Sequence, residues 1–393
     1  MAGCEIVGAV EIDEWAAETF SFNHPTAKVL NADIQALSDD QIRNAFVPLR
    51  PDVLLGGPPC QGFSVCVKNA GDPSDPRNSL FVEFLRVARL LHPQLVILEN
   101  VPNIEKARTS GNEMVLDIIK RQLQELGYCV KHRVLEAVDY GIPQIRKRLF
   151  VVASKEIIDN PFPAPTHSLT TNINELGLFG PTGLPCPCPN LWDAISDLTP
   201  LRAGEGEEIQ EYHSPPLTGY QAVLRQGSRR LFNHTAMRHS KRMVERFSAM
   251  SCGQSQSDVP RNLRPLKRNG DGVISDKTYD QNNRRMYPDK PCHTVPASFY
   301  ANFVHPYQHR NFTPREGARI QSFPDRFVFK GKPTVVSHKL LAREGRSDEK
   351  HLCQYNQIGN AVPPLMAKAL ATHIQKLKIR NCTSNKEQDA CSR

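Results

Sequence analysis

No stretch of 18 apolar residues occurs in the 393-residue chain. A helix crossing a membrane is therefore not expected. The N-terminus has no basic start followed by an apolar run, so no secretory signal is expected either. Paired metal-ligand cysteines are missing. The eleven cysteines are scattered, and Cys186-Pro187-Cys188 has no second pair at zinc spacing. An odd cysteine count without a signal argues for reduced thiols in a cytosolic or nuclear compartment. No internal repeat is present, which excludes solenoids and propellers.

Acidic charge is in deficit. Lys and Arg number 49 against 41 Asp and Glu, a net charge of +8 with His neutral. That balance is compatible with a polyanionic partner but does not demand one. Its distribution says more. Between Leu224 and Asn269 there are eleven Lys or Arg and two Asp or Glu. Such a stretch reads either as a phosphate-contact surface or as a solvated helix face and loop.

The first 155 residues alternate strands and helices. Strands are expected at Glu5–Ile12, Val29–Ile34, Asp52–Leu55, Gln94–Leu98, Tyr128–Leu135 and Arg148–Ala153. Helices are expected from Asp13, over Asn78–Leu91, and over Met114–Leu126 with Gly127 as terminator. This alternation predicts a mostly parallel sheet. From residue 160 the chain turns rich in Pro, Gly, Asn and Thr, and then basic and irregular. Helical patterning resumes at Thr313, and again from about Asn360 to Leu377. Four segments follow: 1–160, 161–310, 311–380 and a polar tail 381–393.

One turn concentrates the chemistry. The apolar run Val53-Leu54-Leu55 leads into Gly56-Gly57-Pro58-Pro59-Cys60-Gln61-Gly62-Phe63-Ser64. Two glycines and two prolines force a sharp bend that lifts Cys60 off a strand end, where open α/β sheets bind ligands. Taken alone, Cys60 could equally be a small buried residue after a turn. Glu11, Asp33 and Glu99 also lie at strand ends. The first two suit the hydroxyls and amine of a nucleoside-like cofactor. Glu99, at the mouth of Leu95-Val96-Ile97-Leu98, is placed for partial desolvation and a raised pKa. Pairing with Arg146 or Arg148 is the other reading, and the two are compatible. Arg146 and Arg148 share a strand face, with donors suited to a base carbonyl or a phosphate.

Together these residues resemble the DNA (cytosine-5)-methyltransferases. The matching segments, in order, are Glu11-Ile12-Asp13, Ala32-Asp33-Ile34, Gly57 to Ser64, Glu99-Asn100-Val101 and Gln144-Ile145-Arg146-Lys147-Arg148. Thr313 to Pro324 and Gln354 to Val362 complete the series. The resemblance implies a Rossmann-like sheet that uses S-adenosylmethionine, with a smaller irregular target-recognition domain. It implies Cys60 as nucleophile, Glu99 at N3 and N4 of the cytosine, Arg148 at O2 and Arg146 as its support. Glu11, Ile12, Asp33, Ile34, Pro59, Leu80, Asn360 and Val362 would line the cofactor pocket. Gln61, Ser64, Thr294 and Arg315 would meet DNA, and residues 62–79 would close over the flipped base. Duplex DNA is the expected partner, no metal is expected, and a monomer is expected. Residence would be the prokaryotic cytoplasm or nucleoid, or a eukaryotic nucleus.

One family feature is missing. The glycine-rich Phe-x-Gly-x-Gly turn should lie just before Met1-Ala2-Gly3-Cys4-Glu5. Without it the sheet lacks a central strand. Either the sequence starts at an internal methionine, or the chain is a short and catalytically impaired DNA-binding relative. An RNA cytosine-5 methyltransferase is the other alternative. The long segment between Gln144 and Thr313, and Gly-Phe-Ser after Cys60-Gln61, fit the DNA enzymes better.

Overall fold

The structure, a computed structural model, describes residues 2–58, 80–109, 111–169, 186–267, 272–275, 280–333, 338–346 and 351–390. Its first part is a layered α/β unit. Strand β1 (Gly8–Glu11) leads through α1 (Glu14–Asn23) to β2 (Lys28–Asn31), which lies parallel to β1. Asp13 caps α1 by accepting from the Ala16 amide, as the sequence indicates. Helix α2 (Asp39–Phe46) starts in a capping box between Ser38 and Gln41. Then come β3 (Val53–Gly56), α3 (Leu80–Leu91), β4 (Leu95–Asn100), α4 (Val115–Glu125), β5 (Cys129–Glu136), β6 (Gln144–Ile145) and β7 (Lys147–Ser154).

A four-stranded sheet has the order β3-β4-β7-β5. One face, including Leu54, Val96, Leu98, Leu149 and Val151, packs under α3 and α4. Leu95, Ile97, Phe150 and Val152 face the other way, onto Met366, Leu370 and Ile374 of the helix Pro364–Ala390. β4 reads as a continuous apolar run because both of its faces are covered. Helix α3 also carries Val87, Leu90 and Leu91 into a second cluster with Val10, Leu30 and Phe46. It thus holds the β1–β2 pair beside the main sheet, with no ladder between them among the described residues.

The sheet is mixed rather than mostly parallel. β3 and β4 are parallel, but β7 runs antiparallel to both β4 and β5. Only residues 137–146 separate β5 from β7, and a parallel return needs a crossover of about a dozen residues or more. The C-terminal helical reading also changes. One helix covers Gln354–Asn360 and a second begins at Pro364. Pro363 and Pro364 explain the break: a proline pushes its predecessor out of helical geometry, yet is well placed in a first helical turn.

A separate apolar cluster unites Leu191, Leu231, Phe299 and Phe303 with Ile320, Phe323, Tyr355 and Ile358. The short helix Pro314–Ile320 sits inside it, capped by a Thr313–Glu316 box. Buried ion pairs anchor this helix. Arg310 grips Glu316 at 2.7 Å, and Arg319 lies between Asp197 at 2.7 Å and Asp325 at 2.6 Å.

Candidate active site

β4 emerges from the core at Glu99, the first residue of the strand that is not fully buried. The antiparallel ladder sets Glu99 opposite Phe150 and Asn100 opposite Leu149. The N-terminal end of β7 therefore arrives at the C-terminal end of β4. Arg148 Nε meets Glu99 Oε1 there at 2.8 Å, and the two side chains keep 14% and 17% exposure. Arg148 also donates to the Lys147 carbonyl. Burial raises the Glu99 pKa, while the charges of Arg148 and Arg146 pull it back. A carboxyl of this kind holds a proton more readily than a free glutamate does.

β3 ends beside the same carboxylate. A Cβ added to Gly57 would lie 3.0 Å from Glu99 Oε2, so any larger residue here would press on the carboxylate and displace it by a few tenths of an ångström. Asn100 Nδ2 donates to the Pro58 carbonyl at 3.1 Å and ties the chain leaving β3 to the end of β4. Pro59, Cys60, Gln61 and Ser64 lie outside the described residues, as does the whole segment 59–79.

Arg146, expected among the catalytic side chains, is 1% exposed. Its donors go to backbone: Nη1 to Val295 O at 2.9 Å, and Nη2 to Gly359 O and Ala361 O at 3.0 Å each. A guanidinium spent this way cannot also reach a substrate. Burial first, and then the neighbouring Arg148 charge, bring its pKa down to about 9 against the opposing pull of Glu99. Gln144 lies on the same alternating face. Its Oε1 accepts from Val295 N, and its Nε2 donates to Gln321 Oε1. The exposed Thr294 donates its hydroxyl to Ile145 O at 2.7 Å.

The candidate cofactor residues gather at the ends of β1 and β2. Asn31 Nδ2 bridges the carbonyls of Glu11 and Ile12. Glu11 Oε1 accepts from Asp13 N, and burial raises its pKa. Asp33 caps the short turn Ile34–Ala36 through Gln35 N. Ile12 is 66% exposed, and Ile34 is half-buried in the α2 cluster. Leu80 opens α3. Asn360, exposed, ends the helix Gln354–Asn360, and half-buried Val362 follows it. That helix is moored to α1 by Thr19 Oγ1 donating to Gln357 Oε1 at 2.6 Å. No hydrogen bond joins Asn360 directly to Glu11 or Asp33 among the described residues.

Arg315, expected at the DNA surface, is fully buried instead. Its guanidinium donates to Phe232 O and Phe327 O at 2.8 Å and sits 3.7 Å from Asp325. Every favourable direction of the group is taken inside the lobe, so its role is architectural. Gly57, Asn100 and Gln144 stood within the matching segments of the sequence but carried no assigned role there. For Gln144 a signal existed: Gln144, Arg146 and Arg148 recur every second residue, as one strand face requires.

A carboxyl–guanidinium pair thus stands at the rim of a mixed α/β sheet, beside the chain that leaves β3 at Gly57 and Pro58. The family profile for C-5 cytosine-specific DNA methylases matches residues 1–376. The chain belongs to that family and is a DNA (cytosine-5)-methyltransferase. It is 44% identical to the type II methyltransferase M.DdeI of Desulfomicrobium norvegicum, over 95% of this chain and 84% of that protein. With type II methyltransferase M1.HphI of Haemophilus parahaemolyticus the identity is 34%, over 96% of this chain and 82% of the relative. Among solved structures, a candidate DNA modification methyltransferase from an Escherichia coli prophage superposes with a TM-score of 0.67. That match has 24% identity and covers 96% of this chain and 93% of the other, a likeness of fold.

Proposed function

We propose that this chain transfers the methyl group of S-adenosylmethionine to C5 of a cytosine rotated out of duplex DNA, with Cys60 as the nucleophile. The single observation that carries the reading is the Glu99–Arg148 pair, half-desolvated at 2.8 Å at the strand rim. Cytosine C5 is a poor nucleophile. Addition of the Cys60 thiolate to C6 converts the ring to an enamine and pushes electron density toward C5. Negative charge then develops at N3 and O2. A protonated Glu99 hydrogen-bonded at N3, and Arg148 at O2, stabilise it. Once C5 is methylated, loss of the C5 proton lets the C6–S bond break and Cys60 leave as thiolate.

When bound, the cofactor supplies an electrophilic methyl on a sulfonium. The residues present fit it: Glu11 and the exposed apolar Ile12 stand at the end of β1, and Asp33 lies two residues beyond Asn31, the residue paired with Glu11 on the parallel strand β2. Glu11 would accept from ribose hydroxyls and Asp33 from the adenine amine. Ile12 and Ile34 would lie against the base, and Leu80, Asn360 and Val362 would close the pocket together with Pro59. The segment 161–310, whose basic stretch begins near Leu224, would supply target recognition, with Thr294, Gln61 and Ser64 near the flipped base. Extruding the base costs a few kcal/mol, and phosphate contacts from that segment would offset it. No helix among the described residues is long and apolar enough to cross a membrane. The naming of the relatives as type II methyltransferases supports a role in restriction–modification, and the prokaryotic cytoplasm is the compartment we propose for it.

The test is covalent trapping. In a duplex carrying 5-fluorocytosine the fluorine on C5 cannot leave as the proton does, so the C6–S bond cannot break and the protein with methyl donor should give a denaturant-resistant adduct. The adduct should vanish in Cys60→Ser. Absence of the adduct with the unaltered chain, or its persistence in the variant, overturns the proposal. Transfer RNA carrying 5-fluorocytosine should give none.

A further inference from the structure

Arg146 draws together segments that are far apart in sequence. Its Nη1 holds Val295 O, and its Nη2 is shared by Gly359 O and Ala361 O. The contact is reinforced on both sides. Asn356 Nδ2 donates to Ala297 O at 2.9 Å. Gly359 is pressed so closely to the other segment that an added Cβ would lie 2.4 Å from the Pro296 carbonyl carbon and oxygen. Below, Gln144 accepts from Val295 N and reaches Gln321, whose Nε2 donates to Ile358 O at 2.9 Å. Segment 294–297 and segment 356–361, the end of the helix Gln354–Asn360 and the residue after it, are therefore joined by side chains bonded to both backbones and by Gly359 packed on Pro296. Arg146 Nε, buried and without a partner, is the cost of this arrangement: the fork is spent across the gap rather than along it.

We propose that Arg146 is a positioning residue that makes duplex DNA and the methyl donor bind cooperatively, by locking the Thr294 segment to the Asn360 loop. This rests on the proposed function for the identity of the two ligands. Thr294, exposed at one end of the locked body, is the candidate duplex contact, and Asn360, exposed at the other, is the candidate cofactor contact. Ordering either end orders the other, so the second ligand meets a site already arranged. By linkage the enhancement must be equal in both directions.

The experiment titrates S-adenosylmethionine into the full chain with and without saturating duplex. The unaltered chain should bind the donor at least fivefold more tightly with DNA present. Arg146→Lys, whose compact ammonium cannot span three carbonyls as the fork does, should weaken donor binding about tenfold and bring that ratio near one. Its kcat at saturating donor and DNA should stay within threefold. Arg148→Lys should do the reverse, lowering kcat and keeping the ratio. Asn356→Ala, which removes one reinforcing bond only, should lower the ratio with an unchanged melting curve. A fall in kcat of Arg146→Lys with the ratio intact overturns the proposal, as does an unchanged ratio in both Arg146→Lys and Asn356→Ala. Hydrogen exchange, which needs no ligand, reads the lock itself. Arg146→Lys must speed exchange in 294–297 and 356–361 together, and acceleration in one segment alone refutes it. A chain that binds neither ligand but passes the exchange test defeats the proposed function and not the lock.

Discussion

Replacing Glu99 by Gln keeps the volume of the side chain and an oxygen for Arg148 Nε, now at 2.8 Å from the carboxylate. It removes the charge and the titrating proton. The first loss is modest: a charge-assisted hydrogen bond is worth roughly 1.5–3 kcal/mol and its neutral replacement about 1, so duplex affinity should fall by about thirtyfold at most. The second loss is large. A positioned acid contributes about 10²–10⁴ in rate, or roughly 3–5 kcal/mol of barrier. Single-turnover methyl transfer to unmethylated plasmid DNA should slow at least 100-fold in E99Q. The pH profile gives a second and independent reading. Transfer needs a thiolate and a protonated Glu99 together, which produces a bell. Burial moves Glu99 upward from the ordinary carboxylate range. On the reading given, the rising limb therefore ends at that raised value, and the falling limb sets in near the thiol value, ordinarily about 8.5. E99Q should keep climbing to the thiol value and show no descent beyond it. A loss under tenfold, or a descending limb retained in E99Q, would refute the assignment of Glu99 as the acid.

Gly57→Ala places a methyl 3.0 Å from Glu99 Oε2. Shifting the carboxylate by a few tenths of an ångström should slow single-turnover transfer by about tenfold, with an unchanged circular dichroism spectrum. Arg315→Gln leaves Asp325 without one of its buried cations and should cost about 3 kcal/mol in urea unfolding. The slope of log affinity for duplex against log salt should stay constant, since no phosphate contact is lost. Acid should unfold the chain early. Burial lowers His234 to about 4, so the unfolded state binds its proton first as pH falls below about 6.5, and some 3 kcal/mol is lost by pH 4. Glu316, held at about 2 by Arg310 despite its burial, adds a further loss as pH falls from about 4.5 toward 2. Urea midpoints that do not change between pH 7 and 4 would contradict the His234 assignment, and midpoints that do not fall further between about pH 4.5 and 2 would contradict that of Glu316.

Much of the architecture was legible because period and punctuation agreed with burial. Asp13, Gly127 and the amphipathic stretch around Leu116–Leu123 mark α1 and α4 to within a residue or two. The fate of Arg315 was not legible. Arg315 and Arg319 stand four apart on one short helix, and nothing local tells a phosphate-binding arginine from one that closes a buried pair. Asp197, Phe232, Asp325 and Phe327 decide it, and they arrive from other parts of the chain. Arg146 was half legible. It was expected on a strand face with Arg148 and instead falls in the break between β6 and β7, and the acceptors that use up its donors come from residues 295, 359 and 361. The Glu99–Arg148 pair was the easiest, since an acid leaving an apolar strand needs either a proton or a cation.

The direction of β7 could have been deduced from that same pair. In a parallel sheet, all strands deliver their C-terminal ends to the crevice, so only residues that close a strand reach it. Glu11, Gly57 and Glu99 obey this rule. Gln144-Ile145-Arg146-Lys147-Arg148 instead runs into the start of its strand, with Lys147 and Arg148 as the first two residues of β7. For Arg148 to stand beside Glu99, the strand that begins there must run the opposite way. The ladder has that sense, with Asn100 facing Leu149 at one end and Leu95 facing Ser154 at the other. The short return from β5 forbids a parallel crossover, and the chemistry requires the antiparallel one. Two constraints of different origin, loop length and the placement of a charge, therefore select the same topology. A variant that moves Arg148 to either neighbouring position should turn the guanidinium to the opposite face of β7. It should abolish transfer as fully as removing the residue does.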